Sequence, residues 1–221
     1  MQENNKNISI IVAISAIALS FGIWFGLDFH GAEQKTNKTE EIQGILLNPA
    51  KQLPDFTFID NKKHSFSRDN LKNTWSIMFF GYTHCPDVCP TTLQTLRRVD
   101  EKLEQMQVVP PQVIFVTVDP QRDNAETLDR YVRYFNNDFI GLTGSPDGLE
   151  KLAAALGVYY RKAAGASGDL EADDYAMDHT AALLVINPQG NVAALLSPPH
   201  EVDRIIQDLR VIVQYDKKST L

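Results

Sequence analysis

The alternation of hydrophobic and polar positions along the chain predicts a succession of strands and helices. Two continuous apolar runs of strand length, Trp75–Tyr82 and Gln112–Asp119, are typical of central strands that are covered on both faces. After each run, apolar residues recur every three or four positions, which predicts a helix. The first helix is expected to begin at Cys89, and Asp123 with Glu126 forms a predicted capping box at the start of the second. These patterns predict two successive strand–helix units.

Shorter patterns complete the order of predicted elements. They are a hairpin at 54–66, a strand at 139–144, a helix at 145–156 that Gly157 stops, a polar loop at 161–174, a hairpin at 180–197 and a helix at 201–215. This order is that of an α/β, thioredoxin-like fold with an added N-terminal β-hairpin. Open α/β sheets place their functional sites at the carboxyl ends of the strands.

The N-terminal region has a different character from the rest of the chain. After a leader of residues 1–7, Ile8–Leu27 is uncharged, and as a helix it would be about 30 Å long, which matches a bilayer core. Its length favours a single transmembrane anchor over a cleaved signal peptide. Residues 28–50 are polar and predict a flexible linker, 51–215 the folded domain, and 216–221 a C-terminal tail. An anchor with a short leader normally leaves the following domain outside the cytoplasm.

Composition adds two constraints. The chain has 221 residues, which is enough to bury a core without the help of disulfides. Its net charge is −7, and the acidic and basic residues are interspersed, so no basic surface for nucleic acid is expected. The sequence therefore predicts a mildly acidic domain that does not bind nucleic acid.

Both cysteines of the chain lie in one short segment, Gly81–Leu93, and each is followed by a proline. The segment comes directly after a predicted strand, and Cys89 is expected near a helix N-terminus, which favours the thiolate. Cys85 and Cys89 can therefore act as a structural disulfide, a redox pair or metal ligands. A disulfide across so short a loop would constrain little of the unfolded chain, so a purely structural bridge is the weakest of the three explanations.

A histidine separates metal binding from redox chemistry. Redox thioredoxins use C-x-x-C and face it with a cis-proline, but Ala176–Val185 contains no proline and has His179 instead. Two thiolates and one imidazole favour copper, especially Cu(I), although Cu(II) also accepts these donors, whereas zinc normally takes a fourth ligand. We expect His84, Asp87 and Met177 to lie near these donors without coordinating the metal.

Three segments together resemble a known family. Gly81–Leu93, Val118–Asp123 and Asp178–Gly190 are similar to the signature segments of the Sco/SenC proteins, thioredoxin-fold factors that assemble the copper centre of cytochrome c oxidase. The resemblance extends from Leu53 to about Tyr215. Three motifs in the correct order are far more specific than a pair of cysteines.

The resemblance implies copper ligation by Cys85, Cys89 and His179, on the periplasmic side of a bacterial inner membrane. It also implies two partners, the copper-centre subunit of the oxidase and an upstream copper donor. The aspartate that matches Asp119 is associated in the family with the neighbourhood of the metal and with partner docking. The alternative for this residue is that Asp119–Pro120 only turns the chain and caps a helix.

Three functions follow from these residues. The first is a membrane-anchored copper chaperone. The second is a thiol-disulfide oxidoreductase that keeps the copper-ligating cysteines of the oxidase reduced, with Cys85 and Cys89 as its redox pair. The third is a membrane-tethered copper or redox sensor. A peroxidase is disfavoured because no P-x-x-x-T-x-x-C sequence precedes either cysteine.

Overall fold

A computed structural model of the chain describes residues 42–170 and 172–219. The predicted leader and transmembrane anchor, and the linker as far as residue 41, lie outside these residues. Within the described part of the chain, none of the helices combines the length and the apolar character that crossing a membrane requires.

Eight strands form one mixed sheet in the order β1-β10-β9-β4-β5-β6-β2-β3, and two more pair separately. The strands are β1 (Gly44–Gln52), β2 (Thr57–Asp60), β3 (Ser65–Ser67), β4 (Ser76–Gly81), β5 (Gln112–Thr117), β6 (Ile140–Thr143), β7 (Tyr160–Ala163), β8 (Ala176–His179), β9 (Leu183–Ile186) and β10 (Asn191–Leu196). Pairing of β2 with β3 confirms the predicted N-terminal hairpin, and pairing of β9 with β10 confirms the closing one.

Four α-helices in the described residues accompany this sheet, so the α/β prediction is confirmed. They are α1 (Val88–Gln105), α2 (Ala125–Phe135), α3 (Pro146–Leu156) and α4 (Val202–Ser219). A 3₁₀ turn spans Arg68–Leu71. Gly157 ends α3 with φ of 71°, a left-handed conformation that glycine adopts without steric cost.

Strands β4 and β5 lie at the centre and pair in parallel, from Ser76 beside Gln112 to Gly81 beside Thr117. Every side chain of β4 is buried, as its continuous apolar sequence predicted. Because the two strands end at the same level, the loops that follow them lie side by side at one edge of the sheet. The cysteine motif is in the first loop and Asp119 is in the second.

Both predicted boundaries of the domain need correction. Strand β1 begins at Gly44, inside the predicted linker, and pairs with β10 at the edge of the sheet. Its side chains are only partly covered, so they lack the apolar alternation of an inner strand. At the other end, α4 continues to Ser219, through part of the predicted tail. Asn187 donates a hydrogen bond of 2.8 Å to Asp216, which attaches this last turn to the domain.

Two local predictions also differ from the structure. The predicted polar loop at 161–174 contributes most of β7, which pairs with β8 in a sheet of its own. Neither strand is fully buried, so neither produces a strong apolar pattern. The predicted capping box is wrong, because Asn124 is the N-cap of α2 and accepts a hydrogen bond of 2.9 Å from the Thr127 amide. Asp123 is instead fully buried.

A buried carboxylate on α1 generates a testable prediction about stability. Burial, reinforced by the charge of Glu104, raises the pKa of Asp100 from 3.8 to about 7. The folded protein therefore retains a proton that the unfolded chain releases, and stability decreases as the pH rises from about 4 to about 7. We expect Asp100→Asn to raise the melting temperature at pH 8 by roughly 5 °C and to have little effect at pH 4.

Melting curves of the two proteins between pH 4 and pH 8 measure this effect. Glu150→Gln, which removes an exposed carboxylate from α3, serves as the control and should shift the curves equally little at every pH. An increase in the melting temperature of Asp100→Asn that does not grow with pH would contradict the raised pKa of Asp100.

Candidate metal centre

The cysteine loop, residues 82–87, connects the end of β4 to α1. Helix α1 begins at Val88, so Cys89 lies in its first turn, within one residue of the predicted helix start. Cys89 is fully buried, whereas Cys85 is partly exposed in the loop. The Cys89 amide donates a hydrogen bond of 3.4 Å to the Cys85 sulfur, and neither cysteine forms a disulfide.

Glycine at the end of β4 makes room for the buried sulfur. A β carbon on Gly81 would lie 2.7 Å from Sγ of Cys89 and 2.7 Å from the ring of Phe115. Both distances are shorter than ordinary van der Waals contact, so a side chain here would displace the sulfur or the aromatic ring. The position of Cys89 therefore depends on the absence of a side chain at residue 81.

His179 ends β8 and faces the cysteines from the opposite side. Its Nε2 lies 3.5 Å from Sγ of Cys89, and its Nδ1 lies 3.1 Å from the carbonyl oxygen of Thr180. A carbonyl oxygen only accepts hydrogen bonds, so Nδ1 carries a proton and donates it to Thr180, which leaves Nε2 as the ring nitrogen that faces the sulfurs. The rings of Phe79 and Tyr82 contact the imidazole in edge arrangements, with centroids 6.1 and 6.0 Å away.

The structure brings together the three residues that the sequence nominated as ligands. Sγ of Cys85, Sγ of Cys89 and a ring nitrogen of His179 lie within 4.8 Å of one another. Thiolate sulfur is a soft donor and imidazole also suits copper, so the set favours copper and especially Cu(I). Bound there, the metal would be held by one buried and two partly exposed residues.

The two thiols differ in acidity. A hydrogen bond from the Cys89 thiol is the main reason that the pKa of Cys85 falls from 9.0 to about 4. The same bond, followed by burial, raises the pKa of Cys89 well above its ordinary value. Sequence reasoning placed the thiolate at Cys89 because of the helix terminus, and this was wrong because the Cys89 thiol donates its hydrogen bond to Cys85 and is also buried. Metal binding to both sulfurs therefore releases the Cys89 proton.

Asp119 lies just beyond β5 and is 3% exposed. It forms an ion pair with Arg122 and accepts a hydrogen bond of 2.8 Å from the Tyr175 hydroxyl. Its carbonyl oxygen also accepts a bond of 2.9 Å from the Asp123 amide, so the predicted turn is present as well. The side chain is not part of the Cys-Cys-His group.

Sequence reasoning missed three residues around the site, namely Arg122, Asp123 and Tyr175. Asp123 is fully buried and accepts hydrogen bonds from the Thr83 amide at 2.9 Å and the Thr117 hydroxyl at 2.6 Å. The sequence offered no signal for them, because charged residues in a turn after a strand are ordinarily exposed.

The other polar neighbours of the motif remain outside the group. His84 has a side chain that is 53% exposed, and Asp87 is also exposed at the start of α1. Met177 is partly buried on β8 and packs against the core. Neither His84 nor Asp87 belongs to the Cys-Cys-His group of the described residues.

Comparison with known proteins places the chain in a family. The sequence profile described as SCO1/SenC matches residues 46–214, which include every strand that carries or precedes a site residue. The chain belongs to the SCO1/SenC family. A mitochondrial SCO2 homolog of Bos taurus is 32% identical over 190 residues, which are 86% of this chain and 69% of that protein. The mitochondrial SCO1 homolog 1 of Arabidopsis thaliana is 31% identical over 208 residues, and the chain spans 61% of its length.

Solved structures of Sco proteins share the fold. Copper-bound ScoI of Arabidopsis thaliana has a TM-score of 0.67 and 30% identity, covering 75% of this chain and 98% of that one. The apo Sco1 protein of Thermus thermophilus has a TM-score of 0.66 and 36% identity, covering 78% and 97% respectively. The mixed sheet and its four described helices match these thioredoxin-like Sco structures.

The unequal acidity of the thiols predicts selective alkylation. In the reduced protein at pH 6, iodoacetamide should modify Cys85 well before Cys89, since Cys85 is a partly exposed thiolate and Cys89 a buried thiol. The alkylation rate of Cys85 should change little between pH 6 and pH 8, whereas the rate of an ordinary thiol rises about tenfold per pH unit below its pKa.

Tandem mass spectrometry of the peptide that contains both cysteines locates the label and gives both rates. The urea-unfolded protein is the control, in which the two cysteines should react at similar, pH-dependent rates. Faster labelling of Cys89 in the folded protein would show that the acidities are reversed.

Proposed function

We propose that this chain is a membrane-anchored copper chaperone that binds copper through Cys85, Cys89 and His179 and delivers it to cytochrome c oxidase. The observation that carries the proposal is the convergence of two sulfurs and one imidazole nitrogen within 4.8 Å. Sco proteins handle copper for this oxidase, and related structures contain bound copper. The receiving partner is the copper-centre subunit of the oxidase, and an upstream donor supplies the metal.

The site combines retention of copper with release. Cys89 holds the metal from the buried side, while Cys85 and His179 are partly exposed. A ligand of the acceptor protein can therefore approach copper from the exposed side and replace these donors one at a time. Cys89 regains its proton when copper leaves, and the thiol again donates its hydrogen bond to Cys85.

The proposal includes a location. Ile8–Leu27 provides a segment of the length and character of a membrane anchor. The copper-binding domain would then lie in the periplasm and remain attached to the inner membrane of a bacterium. The anchored chain would reach an oxidase subunit in the same membrane by lateral diffusion.

Removal of the imidazole tests the ligand set. We expect His179→Ala to weaken Cu(I) binding at least tenfold, because two cysteines alone leave copper without its nitrogen donor. The measurement is a titration of the reduced full chain, purified in detergent, against a chromogenic Cu(I) chelator under anaerobic conditions.

His64→Ala provides a matched control, since this histidine is exposed in the N-terminal hairpin and lies outside the ligand group. Its affinity should equal that of the unaltered chain. Equal affinities for His179→Ala and the unaltered chain would exclude His179 as a ligand.

The acidity of Cys85 supports a second candidate, a thiol-disulfide oxidoreductase. The Cys85 thiolate would attack a substrate disulfide and form a mixed disulfide while one substrate thiolate departs. Cys89, once deprotonated, would then attack the Cys85 sulfur, which releases the second substrate thiolate and leaves Cys85 and Cys89 joined. The substrate gains two electrons, and the cysteine pair loses them.

A peptide that carries the two copper-ligating cysteines of the oxidase as a disulfide separates the two functions. An oxidoreductase should reduce it rapidly, retain this activity in His179→Ala, and accumulate the mixed disulfide in Cys89→Ser. Gel-shift of alkylated products over time gives the rates. Exchange no faster than with free glutathione would eliminate the second candidate.

A further inference from the structure

The turn at residues 119–123, which follows β5, lies between the two parts of the chain that supply the ligands. Its residues contact the cysteine loop on one side and the start of β8 on the other. The acidic side chains of this turn belong to no metal-ligand group in the described structure. Their buried contacts therefore have another role.

The histidine side of the turn is held by Arg122. Its Nη1 donates hydrogen bonds to the carbonyl oxygens of Asp173 at 3.1 Å and Tyr175 at 3.0 Å. Its guanidinium carbon lies 3.5 Å from the centre of the Tyr175 ring, which is a cation–π contact. Asp119 completes this cluster by pairing with Arg122 and accepting the Tyr175 hydroxyl.

Tyr175 precedes β8 directly, and β8 ends at His179. The hairpin of β7 and β8 is outside the eight-stranded sheet, and isolated two-stranded hairpins have little stability of their own. Attachment of Tyr175 through its ring, hydroxyl and carbonyl therefore fixes one end of the strand that carries the imidazole. The other end is held where the Thr180 amide donates to Tyr159 at 2.9 Å.

The cysteine side of the turn is held by Asp123. This buried carboxylate accepts hydrogen bonds from both the amide and the hydroxyl of Thr83, two residues before Cys85. It also accepts the Thr117 hydroxyl at the end of β5. Asp123 therefore attaches the cysteine loop to the end of β5, and Arg122 lies in the turn that follows this strand.

We propose that Arg122, through Asp119 and Tyr175, is a positioning residue for His179, and that Asp123 positions the cysteine loop. The turn at 119–123 would then set the separation between the imidazole and the two sulfurs. This inference rests on the proposed copper binding and adds residues that act on the ligands without touching the metal.

A double-mutant cycle on the reduced full chain in detergent tests the inference. Arg122→Met should weaken Cu(I) binding about tenfold, which is typical of residues that orient a ligand. In the His179→Ala background the same substitution should have no further effect, because its target is absent. Asp123→Asn should weaken binding in both backgrounds, since it acts through the cysteines.

Two further variants refine the test. Arg122→Lys keeps the charge beside Asp119 but cannot reproduce the planar fork of donors, so only part of the affinity should return. Arg122→Lys also replaces Arg122→Met in the cycle if the methionine variant fails to fold. Arg133→Met, which breaks an exposed pair with Asp129 on α2, is the control and should bind Cu(I) normally. An Arg122 effect of equal size in both backgrounds, or no effect, would overturn the positioning role.

A readout without metal keeps this inference separate from the proposed function. In the copper-free chain, the ring signals of His179, identified by their loss in His179→Ala, should shift or broaden in Arg122→Met. Unchanged ring signals would contradict the positioning role even if copper affinity fell. Failure of the unaltered chain to bind Cu(I) would instead refute the proposed function and leave the ring signals as the test of positioning.

Discussion

The parallel pairing of β4 with β5 is the constraint on which the site depends. The two strands end at the same level, so the loop with the cysteines and the turn with Asp119 and Asp123 must be neighbours. Burial of both strands makes this register costly to shift, because a slip would disrupt the close packing of side chains that are covered on both faces of the sheet. The hairpin with His179 lacks such a constraint and is positioned by contacts with the turn.

The buried carboxylates of Asp119 and Asp123 connect the segments of the chain that surround the site. A carboxylate removed from water needs hydrogen-bond donors or a counter-charge. Asp123 obtains its donors from the cysteine loop and from β5, and Asp119 obtains its partners from its own turn and from Tyr175. Each satisfied carboxylate therefore joins two segments that are distant in sequence. This is a physical reason for charged residues at a position where an exposed turn would require none.

The sequence predicted those features that depend on local pattern. The apolar run of β4, the hairpins and the opposition of His179 to the cysteines were all accessible from residue type and order. Strand β1 was not, because an edge strand is specified by its partner β10 more than by its own periodicity. The lowered pKa was predicted for Cys89 and belongs to Cys85, since the hydrogen bond that Cys89 donates to Cys85, together with burial, outweighs the helix terminus. The hydrogen bonds of Arg122 with Tyr175 and of Asp123 with Thr83 join residues that are 53 and 40 positions apart in sequence, and no local pattern reveals such contacts.

The glycine at the end of β4 bears on protein engineering. The absence of a side chain at residue 81 leaves room for both the sulfur of Cys89 and the ring of Phe115, and Cys89 itself belongs to the hydrophobic core. A graft of the cysteine loop onto another scaffold would transfer both thiols but not this support. A transplanted site would need a glycine at the strand end, a core that buries the second sulfur and a separate segment for the imidazole. The metal centre is therefore a property of the whole domain and not a portable module.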